Sequence, residues 1–471
     1  MSRVLAFATA VVGVSLALFA APAGAQTPKT RCTFESVGPA RTDSLIGIGQ
    51  VSFASGGVTV LCPSRGIKLT GDSAEQFPDH YQMIGHAVYD EPRFHVTADY
   101  LNYFPNDEKV VGAGRVHARL PSGSTLDGPQ AEYRRAVPKI RPRAQMSAIA
   151  RPTITIIQKD SAGRPPDSTK VTANNVFVDG DSASLIYGGG QVVINRTDIN
   201  ATADSAFINE PKETMRLMRN PMVKGKKDRP FTLSGDLIDL FSRDRHLYRV
   251  LSQANAKAIS DSMTLASDTI DLRVRNDLLD HAYAWGGKNR AQVVSPSQNL
   301  LADSLDVTMP GQRIQLVRAL RRAYATSKAD TTKFHVEKGD STDWLVGDTI
   351  VAHFDSTRTP KDTSRNPAIK QLVASGNASS YYHLAASDSS LKLPAINHVN
   401  ARIITVNFDT LHKLARVTTV DSVSGIYIEP VPDSTQKKGR GNTAPANKTP
   451  TPAKPSVPSV VPVPTKPPLH P

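Results

Sequence analysis

An aspartate recurs along this chain in one local frame, and repeated carboxylates are the first place to look for hydrolytic or calcium chemistry. Asp72, Asp99, Asp204, Asp236, Asp268, Asp303 and Asp348 each follow an apolar residue, a spacer and a small or apolar residue. Examples are Leu69-Thr-Gly-Asp72, Val96-Thr-Ala-Asp99 and Leu233-Ser-Gly-Asp236, with Asn174 in the same place after Val171-Thr-Ala. Glycoside hydrolysis needs two carboxylates flanking one bond, and calcium needs several oxygens converging on one point. One acid every thirty or so residues supplies neither locally, and stacked like charges would repel. His281, His335 and His353 stand apart and read as surface or strand residues. There is no Gly-x-Ser-x-Gly elbow, no His-Glu-x-x-His and no phosphate-cradling glycine loop. Gly188-Gly-Gly190 reads as a turn or a close approach of strands. The sequence therefore predicts no catalytic residue, no metal and no cofactor.

The elements that carry the acids explain them better. Leu233 and Gly235 share one face of an extended strand, but Asp236 then falls in step with Ile238 and Leu240. A one-residue slip in a period-2 pattern implies a bulge or corner at the small-residue/Asp pair. Asp can cap such a turn's amides, so the recurring acid is expected to be a structural corner. Some 10 to 13 residues after the acid a second apolar segment follows, as in Val110–Val116, Leu247–Leu251 and Leu278–Tyr283. Polar turn signals such as Pro105-Asn-Asp107 and Ser242-Arg-Asp244 separate the halves. The unit is strand, turn, strand, repeated about every 30 residues, which predicts an all-β stack.

Residues 71–428 hold the repeats, and 26–70, strand-like but irregular, are expected to cap the end of the stack. Val137–Arg151, Lys159–Lys170 and Thr357–Asn366 break the rhythm and read as inserted loops. The Pro-rich tail, 433–471, lacks the apolar residues for a core and is expected to be disordered.

Compartment is legible at the start. Arg3, an apolar run from Val4 to Ala20 and Ala23-Gly-Ala25 make a secretory signal over 1–25, an uncleaved anchor being the alternative. Cys32 and Cys62, the only cysteines, could then form a disulfide or remain free thiols. The net charge is +13. Basic clusters at Arg134, Arg135, Lys139, Arg141 and Arg143, at Lys224–Arg229, and at Arg318–Arg322 are either a solvated face or an attraction to an anionic partner such as phosphorylated glycolipid. Nucleic acid fits poorly with an exported chain of so few aromatics.

The exported start, the strand pairs and frames such as Val96-Thr-Ala-Asp-Tyr-Leu-Asn-Tyr103 followed by Val110–Val116 resemble the OstA-like/LptA family, with Ala201–Ala206 and Leu300–Asp303 as further copies. The resemblance spans roughly Gly71 to Ile428. It implies an elongated open β-jellyroll, a V-shaped stack of antiparallel strands with an apolar groove. It also implies a non-enzymatic periplasmic bridge that carries lipopolysaccharide toward the outer membrane. Acyl chains would lie in the groove and phosphates at its edge, with envelope transport proteins docking end to end by β-strand addition. The chain departs from the family in its greater length and its Pro-rich tail.

Leu101, Tyr103, Ile238, Leu240, Ile270, Leu272, Leu305, Val307 and Ile350 are the groove candidates. They either face lipid or pack on one another as the core of a closed, envelope-associated structural β-solenoid. A polysaccharide-acting enzyme on the same scaffold would need two acids brought together in a cleft.

Overall fold

The structure is a computed structural model that describes residues 32–158, 167–180, 184–226, 231–260, 263–296, 298–329, 334–336, 339–355, 369–388, 390–409 and 414–431. The expected signal segment 1–25, the tail 433–471 and the insert Thr357–Asn366 lie outside the described residues.

Thirty strands form one continuous antiparallel ladder, and no α-helix occurs among the described residues. Sequence order is nearly spatial order. The first strands are β1 (Thr33–Ser36), β2 (Ala40–Leu45), β3 (Gly49–Cys62), β4 (Ile67–Gln76), β5 (Tyr81–Glu91), β6 (Phe94–Phe104), β7 (Lys109–Arg119), β8 (Thr125–Arg134), β9 (Gln145–Ile149) and β10 (Thr153–Gln158). Each rung pairs with the one before and the one after. Some rungs are single strands, such as β6, and others are two strands end to end, such as β9 with β10 on β8. β1 and β2 pair with β3 at the start of the ladder, and β4, which crosses residue 70, pairs with β3 in turn. One expectation changes here. Within Val137–Arg151, residues 145–149 are a ladder strand, so the loop is shorter than its Arg/Pro composition suggests.

Every rung bends near its middle, and the bend falls where the recurring acid sits. On β5–β6 the register slips between Ile84/Ala87, and on β6–β7 between Thr97/Tyr100. Comparable slips flank Asp72, Asp204 and Asp348. The bend divides each rung into two halves, so the ladder has two arms joined along one corner. Alternation then places apolar residues of both arms inward: Phe94, Val96 and Ala98 from one half of β6, Leu101 and Tyr103 from the other. One continuous apolar core runs between the arms from Ala54 to Val406. Cys32 and Cys62 form a disulfide beside the pairing of β1 with β3. At the far end, Leu414–Val420 and Ser424–Ile428 pair only with Ala395–Phe408 among the described residues. Ile426, Tyr427 and Ile428 are exposed there.

Candidate functional site

Two sets of residues were expected to matter, the corner acids and the groove residues, and the ladder puts them on opposite sides of its wall. The acids work in pairs of rungs. Rungs that carry the acid alternate with rungs whose corner is two residues in the left-handed region: Gly85-His86, Gly114-Arg115, Arg219-Asn220, Ala254-Asn255, Arg321-Arg322 and Gly376-Asn377. The second residue of each pair reaches the acid of the preceding rung. His86 Nδ1 lies 2.8 Å from Asp72, Arg115 Nη2 2.6 Å from Asp99, and Arg322 Nη2 2.7 Å from Asp303. Asn220, Asn255 and Asn377 donate to Asp204, Asp236 and Asp348 at 3.3, 3.1 and 3.2 Å. Asp268 instead accepts the backbone N–H groups of Gly287, Lys288 and Asn289. The acids are thus corner residues, but what they cap is the next rung. Their own turns do not supply the amides. The Arg115 guanidinium holds the Asp99 carboxyl below the usual range, Arg322 does the same for Asp303, and the three amides, Asn289 first, do so for Asp268.

The nine groove candidates all face between the arms. They are buried, from 0 % exposed for Leu101, Tyr103, Ile238, Ile270 and Ile350 to 4 % for Val307. Side chains of the two arms fill the space that an open groove would leave. The reason is spacing. Facing sheets sit about 10 Å apart, a gap that paired Ile, Leu and Tyr side chains occupy without a guest.

Among the described residues, hydrogen-bonded backbone joins the arms at the corner only. Along the opposite side the hairpin turns of one arm meet those of the other through side chains, forming a seam. Near the N-terminal end the seam is charged. Arg65, in the turn after β3, pairs with Glu108 across the seam at 3.1 Å and donates to Tyr103 Oη at 3.0 Å. Arg135, just after β8, pairs with Glu108 at 2.9 Å, with Glu91 of the opposite arm, and donates to the Arg65 carbonyl. Tyr133 donates to Glu91 at 2.7 Å and stacks on Phe94 of the other arm, ring centres 3.7 Å apart. The Glu91 side chain is 6 % exposed. Burial pushes the Tyr89 and Tyr103 hydroxyls beneath this network up from their ordinary range. Further along, Arg196 donates across the seam to Ser242 Oγ and to the Arg245 carbonyl. Beside it a shallow notch, open to solvent, is lined by Ile199, Lys226, Phe231, Leu247, Val274 and Leu279. Toward the C-terminal end half-buried apolar residues take over at the hairpin turns, including Met309, Ile314, Phe354, Leu372, Phe408 and Leu414.

Sequence reasoning missed the seam. Its partners lie 38 to 70 residues apart and follow no repeat. The only trace was Arg135 within a basic cluster. It also missed His383, a buried imidazole whose Nδ1 lies 2.8 Å from Asp343 and whose Nε2 lies 3.4 Å from Asp340. Burial raises the Asp343 carboxyl. His281, noted as isolated, bonds Asp280 at 3.1 Å and Thr308 at 3.2 Å. Among the described residues no cluster of three or more His, Cys, Asp or Glu is placed to hold a metal. No family model matches the chain, and no curated protein matches it either.

Proposed function

We propose that this chain is a non-catalytic carrier of lipopolysaccharide, or a related lipid A-type anionic glycolipid, in the periplasm, and that it hands lipid toward the outer membrane. The observation that carries the reading is the two-armed ladder itself. Its apolar interior runs along the stack, bonded through backbone at the corner and, among the described residues, closed at the seam by contacts that each involve a side chain. Such a wall can part along the seam without breaking a strand pairing. Acyl chains entering there would exchange one apolar contact for another, at about 0.8 kcal/mol per buried methylene. The rungs stack at about 4.8 Å, which makes the ladder on the order of 100 Å long, several times a bilayer's hydrocarbon thickness. The last described rung, with Ile426, Tyr427 and Ile428 exposed, suits an envelope partner that docks by strand addition.

A second reading, a structural β-solenoid of the envelope, is favoured by the complete burial of Ile238, Ile270 and Ile350. Mass spectrometry of lipid extracted from the mature chain, purified from its native compartment, separates the two. Lipid A-type glycolipid at about one per chain supports the carrier. A lipid-free preparation that also fails to take up added lipopolysaccharide sinks it in favour of the scaffold.

A further inference from the structure

We infer that the charged part of the seam is a phosphate-exchange site. A phosphate-bearing ligand takes the guanidinium faces of Arg65 and Arg135 now held by Glu91 and Glu108, and in doing so parts the arms. It deepens the carrier reading, and depends on it only for the source of the phosphate.

The chemistry is in the composition of the network. Two arginines and two glutamates, one of each on either arm, meet with every pairing crossing the seam except Arg135 to Glu108. Arg135 spans two carboxylates at once, and the Arg65 guanidinium is shared between Glu108 and the Tyr103 hydroxyl. A guanidinium offers a planar fork that accepts phosphate as readily as carboxylate, and often in two-pronged geometry. The carboxylates occupy the places a phosphate would need, so they act as internal stand-ins for it.

Exchange is also cheap for the protein. An ion pair taken out of water gains little net stability, because desolvation offsets the attraction. When phosphate displaces Glu91, the freed carboxylate would be costly if it stayed buried, but parting of the arms returns it to water. Binding and opening are therefore coupled, each favouring the other. In this stretch of the seam charge, not apolar contact, sits over the core. Directly beneath it lie Val110, 2 % exposed, and its cross-strand neighbours Tyr103 and Tyr133. Arg141, which donates to the Arg135 and Asp107 carbonyls, adds positive field beside the network for an anion approaching from solvent.

The test uses the full mature chain with one reporter thiol, Val110→Cys. The native cysteines are already joined to each other, so the reporter is the single reactive thiol. Maleimide labelling of that thiol reads opening of the seam. Three conditions are compared at equal ionic strength: inorganic phosphate, purified lipid A in detergent micelles, and chloride with empty micelles. Lipid A should raise the labelling rate by about tenfold, the effect of a 1.4 kcal/mol shift in the opening equilibrium. The rise should vanish in Arg135→Gln and be weakened in Arg135→Lys, which keeps the charge but not the fork. Glu91→Gln with Glu108→Gln should label fast without any anion. An equal rise with inorganic phosphate also supports exchange and shows that the site reads phosphate whether or not lipid bears it. The inference is overturned if neither anion exceeds the chloride control, if Arg135→Gln responds like its parent, or if the double Gln variant labels as slowly as the parent. Circular dichroism of each variant separates misfolding from opening. The carrier reading fails on a lipid-free preparation that also takes up no added lipopolysaccharide, an outcome that leaves the phosphate and Gln arms of this test unaffected.

Discussion

Arg115 closes on Asp99 from the neighbouring rung, its Nε and Nη2 both bonded to the carboxylate, at 3.0 and 2.6 Å from Oδ1. The contact is possible because Gly114 and Arg115 both take left-handed backbone, at φ +70° and +42°. That pair turns the second side chain back along the stack toward the acid. The same relation between a left-handed pair and the preceding acid recurs down the ladder, so the corner is a line of rung-to-rung clasps.

Gly114 is the tightest point of that clasp. A Cβ there would lie 2.4 Å from Asp99 Oδ2, on a backbone that side-chain-bearing residues rarely adopt. Gly114→Ala should therefore lose about 1–3 kcal/mol, read as a lower denaturation midpoint. Gly123→Ala, at φ +87° with open space around it, carries the conformational cost without the collision and should lose less. Equal losses at the two positions would mean that the carboxylate moves aside freely.

The depressed carboxyls of Asp99, Asp268 and Asp303 set a direction for acid sensitivity. A carboxyl that ionises more readily in the folded chain than in the unfolded one stabilises the fold above its unfolded pKa, about 3.9 for Asp. That stability is lost as pH falls through the lower, folded value. The melting temperature should hold near pH 6 and fall below about pH 4. Asp268→Asn should flatten the fall, because one linked group has gone. All three groups are solvent-screened, so each contribution is modest. An unchanged acid slope in the variant would remove the clasp from the account of stability.

What the sequence carried and what it hid follow from the range of the interactions. Alternation around Ile238 and Leu240, with the slip at Asp236, announced a bent strand because bending is a local property of the chain. The turns after Phe104 and Arg243 were equally local. The clasp was half legible: the acid repeats, but its partner is His, Arg or Asn and varies from rung to rung. A repeating frame cannot show a partner whose identity changes. The seam was illegible, since Arg65, Glu91, Glu108 and Arg135 meet only once the arms have folded together. The core was ambiguous in a different way. An inward Ile looks the same in sequence whether its neighbour will be lipid or another Ile.

The disulfide should matter most at the first rungs. It joins residues 30 apart and fixes β1 against the end of β3. Closing a loop of that size restricts the unfolded chain by about 3–4 kcal/mol in the chain-entropy account. Cys32→Ser with Cys62→Ser should raise amide hydrogen exchange across β1–β3, with the rungs near Ile350 protected as before. Uniform loss of protection along the ladder would show instead that the stack unfolds as one unit.

Ile270 decides between a filled interior and a wettable one. It is fully buried, opposite Ala284 on the next rung and Ser252 on the one before. Ile270→Ala should cost about 2–5 kcal/mol if the contacts between arms are part of the resting fold. Ile270→Asp would bury an unpaired charge and should prevent folding altogether. Loading with lipopolysaccharide should then narrow the gap between wild type and Ile270→Ala, because acyl chains that part the arms replace the contacts Ile270 makes in the empty state. The comparison is made by thermal unfolding with and without lipid. A gap of the same size in both states would mean that the arms never separate at this level, and that any lipid binds elsewhere on the stack.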